Sequence, residues 1–237
     1  MPHTAEAPKC FAEVKGRRIL DWGLDALAAA GLNDVVFIGG YRIDTVRAAY
    51  PDFTYRHNSD WEDNNILESL MHAEAHMVDG FVCGYSDILY SPAVIENLLQ
   101  SDGPITLVCD TEWRERYKQR TEHPEDDGEK MRVETGTVAA INRTMPSEDA
   151  TGEYIGVARF DSEGARQLID AYHRAREVTG DGPFQAAKTF RKAYLIDLYQ
   201  QMIEDGHVLG ASFTRGEYME IDTEEDFALA NALWSDD

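Results

Sequence analysis

Three residues carry chemistry worth following along the chain. Lys9 stands directly after Pro8, which stiffens the backbone before an amine that can meet a phosphate. Asp87 closes the run FVCGYSD. In open α/β sheets ligands bind beyond the carboxyl ends of the strands, and a carboxylate there can hold Mg²⁺, which usually takes only one or two ligands from protein. Asp222, in EYMEIDTEEDF, lies between a strand pattern and a helix pattern. Taken singly, each also fits a plainer role: a solvated lysine, a turn aspartate capping the next element, an acid favoured by a helix dipole.

The elements that must position these groups alternate between strands and helices. RRILDWGLDALAAAG sets Leu20, Leu24 and Leu27 on one face and Asp21 and Asp25 opposite, with Gly31 in the usual C-terminal position. NDVVFIGGY is a continuous apolar run closed by a Gly pair, the pattern of a strand buried on both faces. IDTVRAAY predicts a short helix and FTYRHN a second strand. NNILESLMHAEAHMV predicts one amphipathic helix through Ile66, Leu70, Ala73 and Met77. GFVCGYSD and PITLVCD read as strands, and SPAVIENLLQ between them as a helix with Ser91 as cap and Pro92 in its first turn. This βαβ series predicts the α/β class, with a Rossmann-like, doubly wound sheet, mixed but mostly parallel.

Residues 111–130 break the rhythm. TEWRERYKQRTEHPEDDGEK is dense in charge and carries Arg114, Arg116 and Arg120, so it reads as an insertion into one domain spanning 1–237. MRVETGTVAAINR and GEYIGVARF resume as antiparallel strands, and DSEGARQLIDAYHRAREV and AYLIDLYQQMIEDG as amphipathic helices. HVLGASFTRGEYMEID predicts a hairpin-like strand pair. TEEDFALANALW predicts a last helix, with Thr223 and Asp226 spaced as a capping box.

Composition narrows the function classes. Lys and Arg total 22 against 44 Asp and Glu, a net charge of −22, which repels nucleic acid and anionic membranes. An anionic substrate therefore needs a local basic group or a metal ion. The three cysteines, Cys10, Cys83 and Cys109, are far apart in apolar surroundings and suggest neither a metal site nor a disulfide framework. No apolar run approaches membrane-spanning length and the N-terminus has no hydrophobic signal region. The expectation is a cytoplasmic protein, with oligomerisation left open.

In combination the motifs are more specific. PKCFAEVKGRRILDWGLDALAAAGLNDVVFIGGY, HNSDWEDNNILESL, YSDILY and YMEIDTEEDF follow one another along the chain. In that order they resemble the nucleotidyltransferase family that joins an NTP to a phosphate-bearing acceptor, most of all the bacterial phosphocholine cytidylyltransferases and their relatives acting on phosphonates. The resemblance runs from Pro8 to the last helix and rests chiefly on PKCFAEV, NNILESL and EID. It implies a nucleotide-diphospho-sugar transferase-like fold and Mg²⁺ as cofactor. It implies that Lys9 is the catalytic lysine that meets the NTP phosphates, that Asp87 and Asp222 bind the metal, and that Asn65 and Ser69 read base and ribose. The partners implied are CTP and a small phosphate or phosphonate acceptor such as phosphocholine or 2-aminoethylphosphonate.

A choline-like or aminoethyl head needs carboxylates or an aromatic cage. Trp113, Tyr117, Glu129 and Asp197 lie in the segments where the family builds its acceptor pocket, and are the expected contacts. Arg116 and Arg120 are candidates for the acceptor's phosphate or simply solvated. The family also has a first strand and a G-x-G-x-R-L loop before the P-K dipeptide, of which MPHTAEAPKC matches only the end. The resulting expectation is an N-terminally truncated fold, from a start called too late, a truncation, or a degenerate homologue. Two other functions compete: a sugar-1-phosphate nucleotidyltransferase and a non-catalytic nucleotide-binding protein.

Overall fold

The computed structural model describes residues 7–122 and 124–235. A 3₁₀ turn, Lys9–Phe11, leads into a short ribbon of β1 (Glu13–Val14) and β2 (Arg17–Arg18) and then α1 (Ile19–Ala29). β3 (Val36–Gly39), α2 (Ile43–Ala49) and β4 (Thr54–His57) make a βαβ unit, followed by α3 (Ile66–Met71), β5 (Phe81–Gly84), β6 (Ile88–Tyr90), α4 (Pro92–Leu99) and β7 (Ile105–Asp110). The charged 111–130 segment carries α5 (Trp113–Tyr117). The chain continues through β8 (Lys130–Glu134), β9 (Thr137–Asn142), β10 (Gly152–Phe160), α6 (Ser162–Thr179), α7 (Leu195–Glu204), β11 (Gly210–Thr214), β12 (Tyr218–Glu220) and α8 (Glu224–Leu233).

The expected mixed α/β sheet is present. Six strands pair in the order β5-β10-β7-β11-β9-β8, and β10 also pairs with β8. Parallel pairing, expected to dominate, is confined among the described residues to β7–β11 and β3–β4. Each antiparallel pair of the six-stranded sheet includes a strand after residue 130: β8 and β9 form a hairpin and β10 runs between β5 and β7. β7 is buried at every residue, as a central strand with helices on its faces must be.

Four local expectations change. NDVVFIGGY is half-buried rather than fully buried: among the described residues β3 pairs only with β4. The NNILESLMHAEAHMV helix stops at Met71 and continues as a 3₁₀ turn, Glu74–His76, which still buries Ala73 and Met77. Ser91 occupies the cap position of α4 without a capping bond, so Pro92 alone sets that helix entry. HVLGASFTRGEYMEID is no hairpin: β11 pairs with β7 and β9, while β12 pairs antiparallel with β6. The reading of the first residues as the tail of a phosphate loop falls largely on residues 1–6, outside the described residues.

One apolar cluster holds the ends of the chain together. Ala12, Val14 and Ile19 near the N-terminus meet Leu89 of β6 and Ile221 and Ala230 near the C-terminus, each at most 5% exposed. This small core brings residues 9, 87 and 222 to one place. No described helix is long and apolar enough to cross a membrane.

Candidate active site

The β6–β12 ribbon sets the register of the site. Ile88 lies opposite Glu220, and the Ile221 N–H donates to the Asp87 carbonyl at 3.3 Å. Asp87 thus sits one residue, and Asp222 two residues, beyond the same end of the ribbon. Lys9 arrives from the 3₁₀ turn whose Cys10 is buried against the core. Its Nζ donates to Asp87 Oδ2 at 2.8 Å and also to Asp222 Oδ1. Burial alone would lower the pKa of this amine. The two facing carboxylates outweigh it and hold the pKa above its ordinary value, so Lys9 stays a cation.

Asp222 is fixed from behind. Thr223 caps α8 and Asp226 completes the box, as the spacing predicts. Asp226 Oδ2 accepts the Thr223 N–H at 2.9 Å and also the Asp222 N–H at 3.0 Å. Its Oδ1 accepts from Arg120 Nε at 2.6 Å.

Beside the three residues opens a cavity of about 230 Å³. Its floor is acidic: Glu129, Glu153, Glu220 and Asp222 all line it. Tyr85, Tyr154 and Tyr218 supply ring surface, and Arg143 stands on the wall. Gly156 explains how Tyr85 gets there. Its φ is +79°, and a Cβ would meet the Tyr85 ring at 2.4 Å, so both backbone and space demand glycine where β10 shifts register.

The electrostatics of this cavity are dominated by burial. Glu129 is pushed up from its ordinary 4.5 to about 7 by desolvation, which the Arg143 guanidinium at 3.1 Å offsets only in part. Burial also raises Glu153 against the pull of Arg116, and raises Glu220, which faces Asp222, Glu153 and Asp87. Burial thus favours the neutral form of these carboxyls, and a cation placed among them would favour the charged form.

Among the other residues expected in the site, Glu129 lines the cavity. Trp113 and Tyr117 do not form a cage. They pack edge-to-face at 5.6 Å, both buried, and the Tyr117 hydroxyl donates to Glu153 Oε1 at 2.7 Å. Asp197 is a helix cap: its Oδ2 accepts the Tyr194 N–H at 2.7 Å and its Oδ1 the Ala186 N–H at 3.4 Å, so backbone takes both oxygens. Arg116 is spoken for by Asp110 and Glu153, and Arg120 by Asp226, so neither is solvated. Asn65 caps α3 and reaches the Lys192 carbonyl. Ser69 Oγ accepts from Asn58, whose amide pairs reciprocally with Asn64. Asn65 at the cap and Ser69 within α3 lie in the segment expected to face the nucleotide, and both already have protein partners. Sequence reasoning missed Tyr85, Arg143, Glu153, Tyr218 and Glu220. Only Tyr85 and Glu220 carried a signal, as neighbours of the two aspartates in GYSD and EID.

Among the described residues no three His, Cys, Asp or Glu side chains form a metal cage. The Asp87–Asp222 pair nevertheless suits one hard divalent cation that takes its remaining ligands from phosphate and water. The Lys9 ammonium donates to both carboxylates, so the two side chains converge on one point.

No protein-family model matches the chain. It is 25% identical over 240 residues to the CTP:phosphoglutamine cytidylyltransferase of Campylobacter jejuni, covering 97% of this chain and 93% of that one. Solved structures share the fold. The inositol-1-phosphate CTP transferase of T. maritima superposes with a TM-score of 0.73 at 15% identity, over 96% of this chain and 87% of the other. A putative glucose-1-phosphate thymidylyltransferase of Bacillus anthracis gives 0.75 at 16%, over 98% and 88%. The CTP:phosphocholine cytidylyltransferase of Streptococcus pneumoniae gives 0.71 at 17%, over 98% and 92%.

Proposed function

For a chain that belongs with the nucleotidyltransferases, close to the cytidylyltransferases, we propose transfer of the cytidylyl group of CTP to a small acceptor bearing phosphate or phosphonate at one end and an ammonium at the other. An acceptor oxygen forms a bond to the α-phosphorus of CTP. The bond from that phosphorus to the bridging oxygen breaks, and pyrophosphate leaves with the electron pair. The acceptor oxygen is already ionised at neutral pH, so no strong general base is needed. The observation that carries the reading is the Lys9–Asp87–Asp222 cluster opening onto a cavity lined by carboxylates and tyrosine rings.

In this reading Lys9 binds the CTP phosphates and neutralises charge that develops as pyrophosphate departs. Asp87 and Asp222 hold Mg²⁺, which when bound supplies Lewis-acid neutralisation of the phosphate oxygens. Glu129, Glu153 and Glu220 replace the hydration of the acceptor's ammonium, and the tyrosine faces add cation–π attraction. Orientation of two bound anions is then the main source of rate.

The test is a pyrophosphate-release screen. CTP, UTP, GTP, ATP and dTTP are each paired with phosphocholine, 2-aminoethylphosphonate, phosphoglutamine and hexose-1-phosphates, with and without Mg²⁺. Selective turnover of CTP with an ammonium-bearing acceptor, dependent on Mg²⁺, is the expected result. Preference for dTTP or UTP with a hexose-1-phosphate overturns it in favour of sugar-nucleotide synthesis.

A further inference from the structure

The capping box of α8 does more than cap a helix. In such a box the N3 side chain returns to the N–H of the cap residue, here Thr223. Asp226 also accepts the N–H of Asp222, one residue earlier. That bond contributes nothing to the helix start. It fixes the backbone of the residue whose carboxylate meets Lys9. The Asp226 side chain is only 1% exposed, and its other oxygen is held by Arg120, 6% exposed, from 106 residues away in sequence. Arg120 Nη2 also lies 3.7 Å from Oε2 of Glu220, two residues before Asp222. Next to Arg120, the Thr121 hydroxyl and the Glu122 N–H donate to Glu225 at 2.8 and 2.9 Å. The 111–130 segment, which also brings Glu129 to the cavity, is thereby stapled to the first turn of α8.

We propose that Asp226, held by Arg120, is a positioning residue that sets Asp222 for divalent-cation binding and ties it to the acceptor side of the cavity. The proposal rests on the reading of Asp222 as a metal ligand. A buried arginine is a costly way to anchor a cap, since a surface capping box needs no counter-ion. A partner that orients a ligating carboxylate has a function to repay that cost, and loss of such a partner typically lowers metal affinity about 10–100-fold.

The experiment uses the full chain and two readouts. One is the Mg²⁺ concentration giving half-maximal turnover. The other, free of turnover, is the rise in melting temperature produced by Mg²⁺ with CTP and no acceptor. Asp226→Asn keeps an acceptor for the backbone amides and loses the charge that holds Arg120. Arg120→Lys keeps the charge and loses the planar donor. Both are expected to raise the Mg²⁺ requirement about tenfold or more and to shrink the Mg²⁺-dependent thermal shift, Arg120→Lys less than Asp226→Asn. Asp197→Asn, which weakens a cap elsewhere, is expected to lower the melting temperature and leave the Mg²⁺ requirement unchanged. If folded Asp226→Asn and Arg120→Lys keep the normal Mg²⁺ requirement while Asp222→Asn loses it, the positioning role is wrong and the metal site stands. If Asp222→Asn itself keeps it, both readings fall. Should Asp226→Asn fail to fold, Arg120→Lys decides the matter by the same two measurements.

Discussion

Lys9 Nζ lies 2.8 Å from Asp87 Oδ2, although 78 residues separate them in the chain. The amine is shared with Asp222, so one cation balances two carboxylates at the end of the β6–β12 ribbon. In the proposed reaction this arrangement makes Lys9 both a partner for phosphate and a competitor for the metal ion.

Lys9→Ala removes the cation from both roles. Turnover with CTP is expected to fall about 10²–10³-fold, the usual cost of losing one preorganised charge donor at a reacting centre. Mg²⁺ alone, without nucleotide, should bind the variant more tightly, because its carboxylates are no longer neutralised. Titration calorimetry and initial rates check the two halves. An unchanged rate removes Lys9 from the chemistry.

Asp87→Asn and Asp222→Asn are each expected to abolish Mg²⁺-dependent turnover while leaving the circular-dichroism spectrum intact. Both side chains are about one-third exposed, so neither substitution empties the core. A near-normal rate at saturating Mg²⁺ in either variant would falsify its role as a ligand.

Glu129 gives a pH signature. Its carboxyl is raised by burial from 4.5 to about 7 in the folded protein, so between these values the native state holds a proton that the unfolded chain releases. Stability therefore falls as pH rises from about 4.5 to 7, by on the order of 3 kcal/mol from this residue. Glu129→Gln should flatten that part of the stability–pH curve. Acceptor binding should show the opposite trend, KM falling as pH rises through about 7 and the carboxylate becomes available to the ammonium. Chemical denaturation and acceptor KM across pH 5–8 check both, and a wild-type stability curve rising over this range counts against the assignment.

Tyr117→Phe strips the hydroxyl from a buried carboxylate. Glu153 keeps Arg116 at 3.2 Å but loses the 2.7 Å bond from Tyr117. The expected cost is about 1–3 kcal/mol of stability, read as a lower denaturation midpoint at unchanged slope. Because the ring does not line the cavity, a larger effect on acceptor KM than on stability would restore Tyr117 as a direct acceptor contact.

The sequence was most legible where a physical rule acts locally. The Thr223–Asp226 spacing specifies the α8 capping box, Gly31 takes the left-handed position after α1 at φ +82°, and PITLVCD forms a strand, β7, as its apolar run implies. Lys9, Asp87 and Asp222 could be brought together only through the resemblance of their motifs, since nothing local relates them. What stayed hidden depended on pairing across long separations. GEYMEID alternates like half of a hairpin, but its partner is β6, not the adjacent β11. Asp197 sits at the right kind of place for an acceptor contact, and only the Tyr194 N–H reveals it as a cap. Arg120, in a charged run, reads as a phosphate contact or a solvated charge. Its burial depends on a carboxylate 106 residues away.

The span of the Lys9 contacts also sets the order of events as the protein forms. Its two bonds bridge 78 and 213 residues, and the small core beneath them joins Val14 to Ile221. Closing a loop of that length costs entropy before any contact rewards it, so contacts of large sequence separation consolidate late. The β8–β9 hairpin and the β3–α2–β4 unit need no such closure. During synthesis, the partner aspartate at position 222 also leaves the ribosome long after Lys9 and Asp87. In a refolding experiment the Lys9–Asp87–Asp222 cluster should accordingly be the final structure gained, with recovery of CTP turnover lagging behind the return of the far-ultraviolet signal.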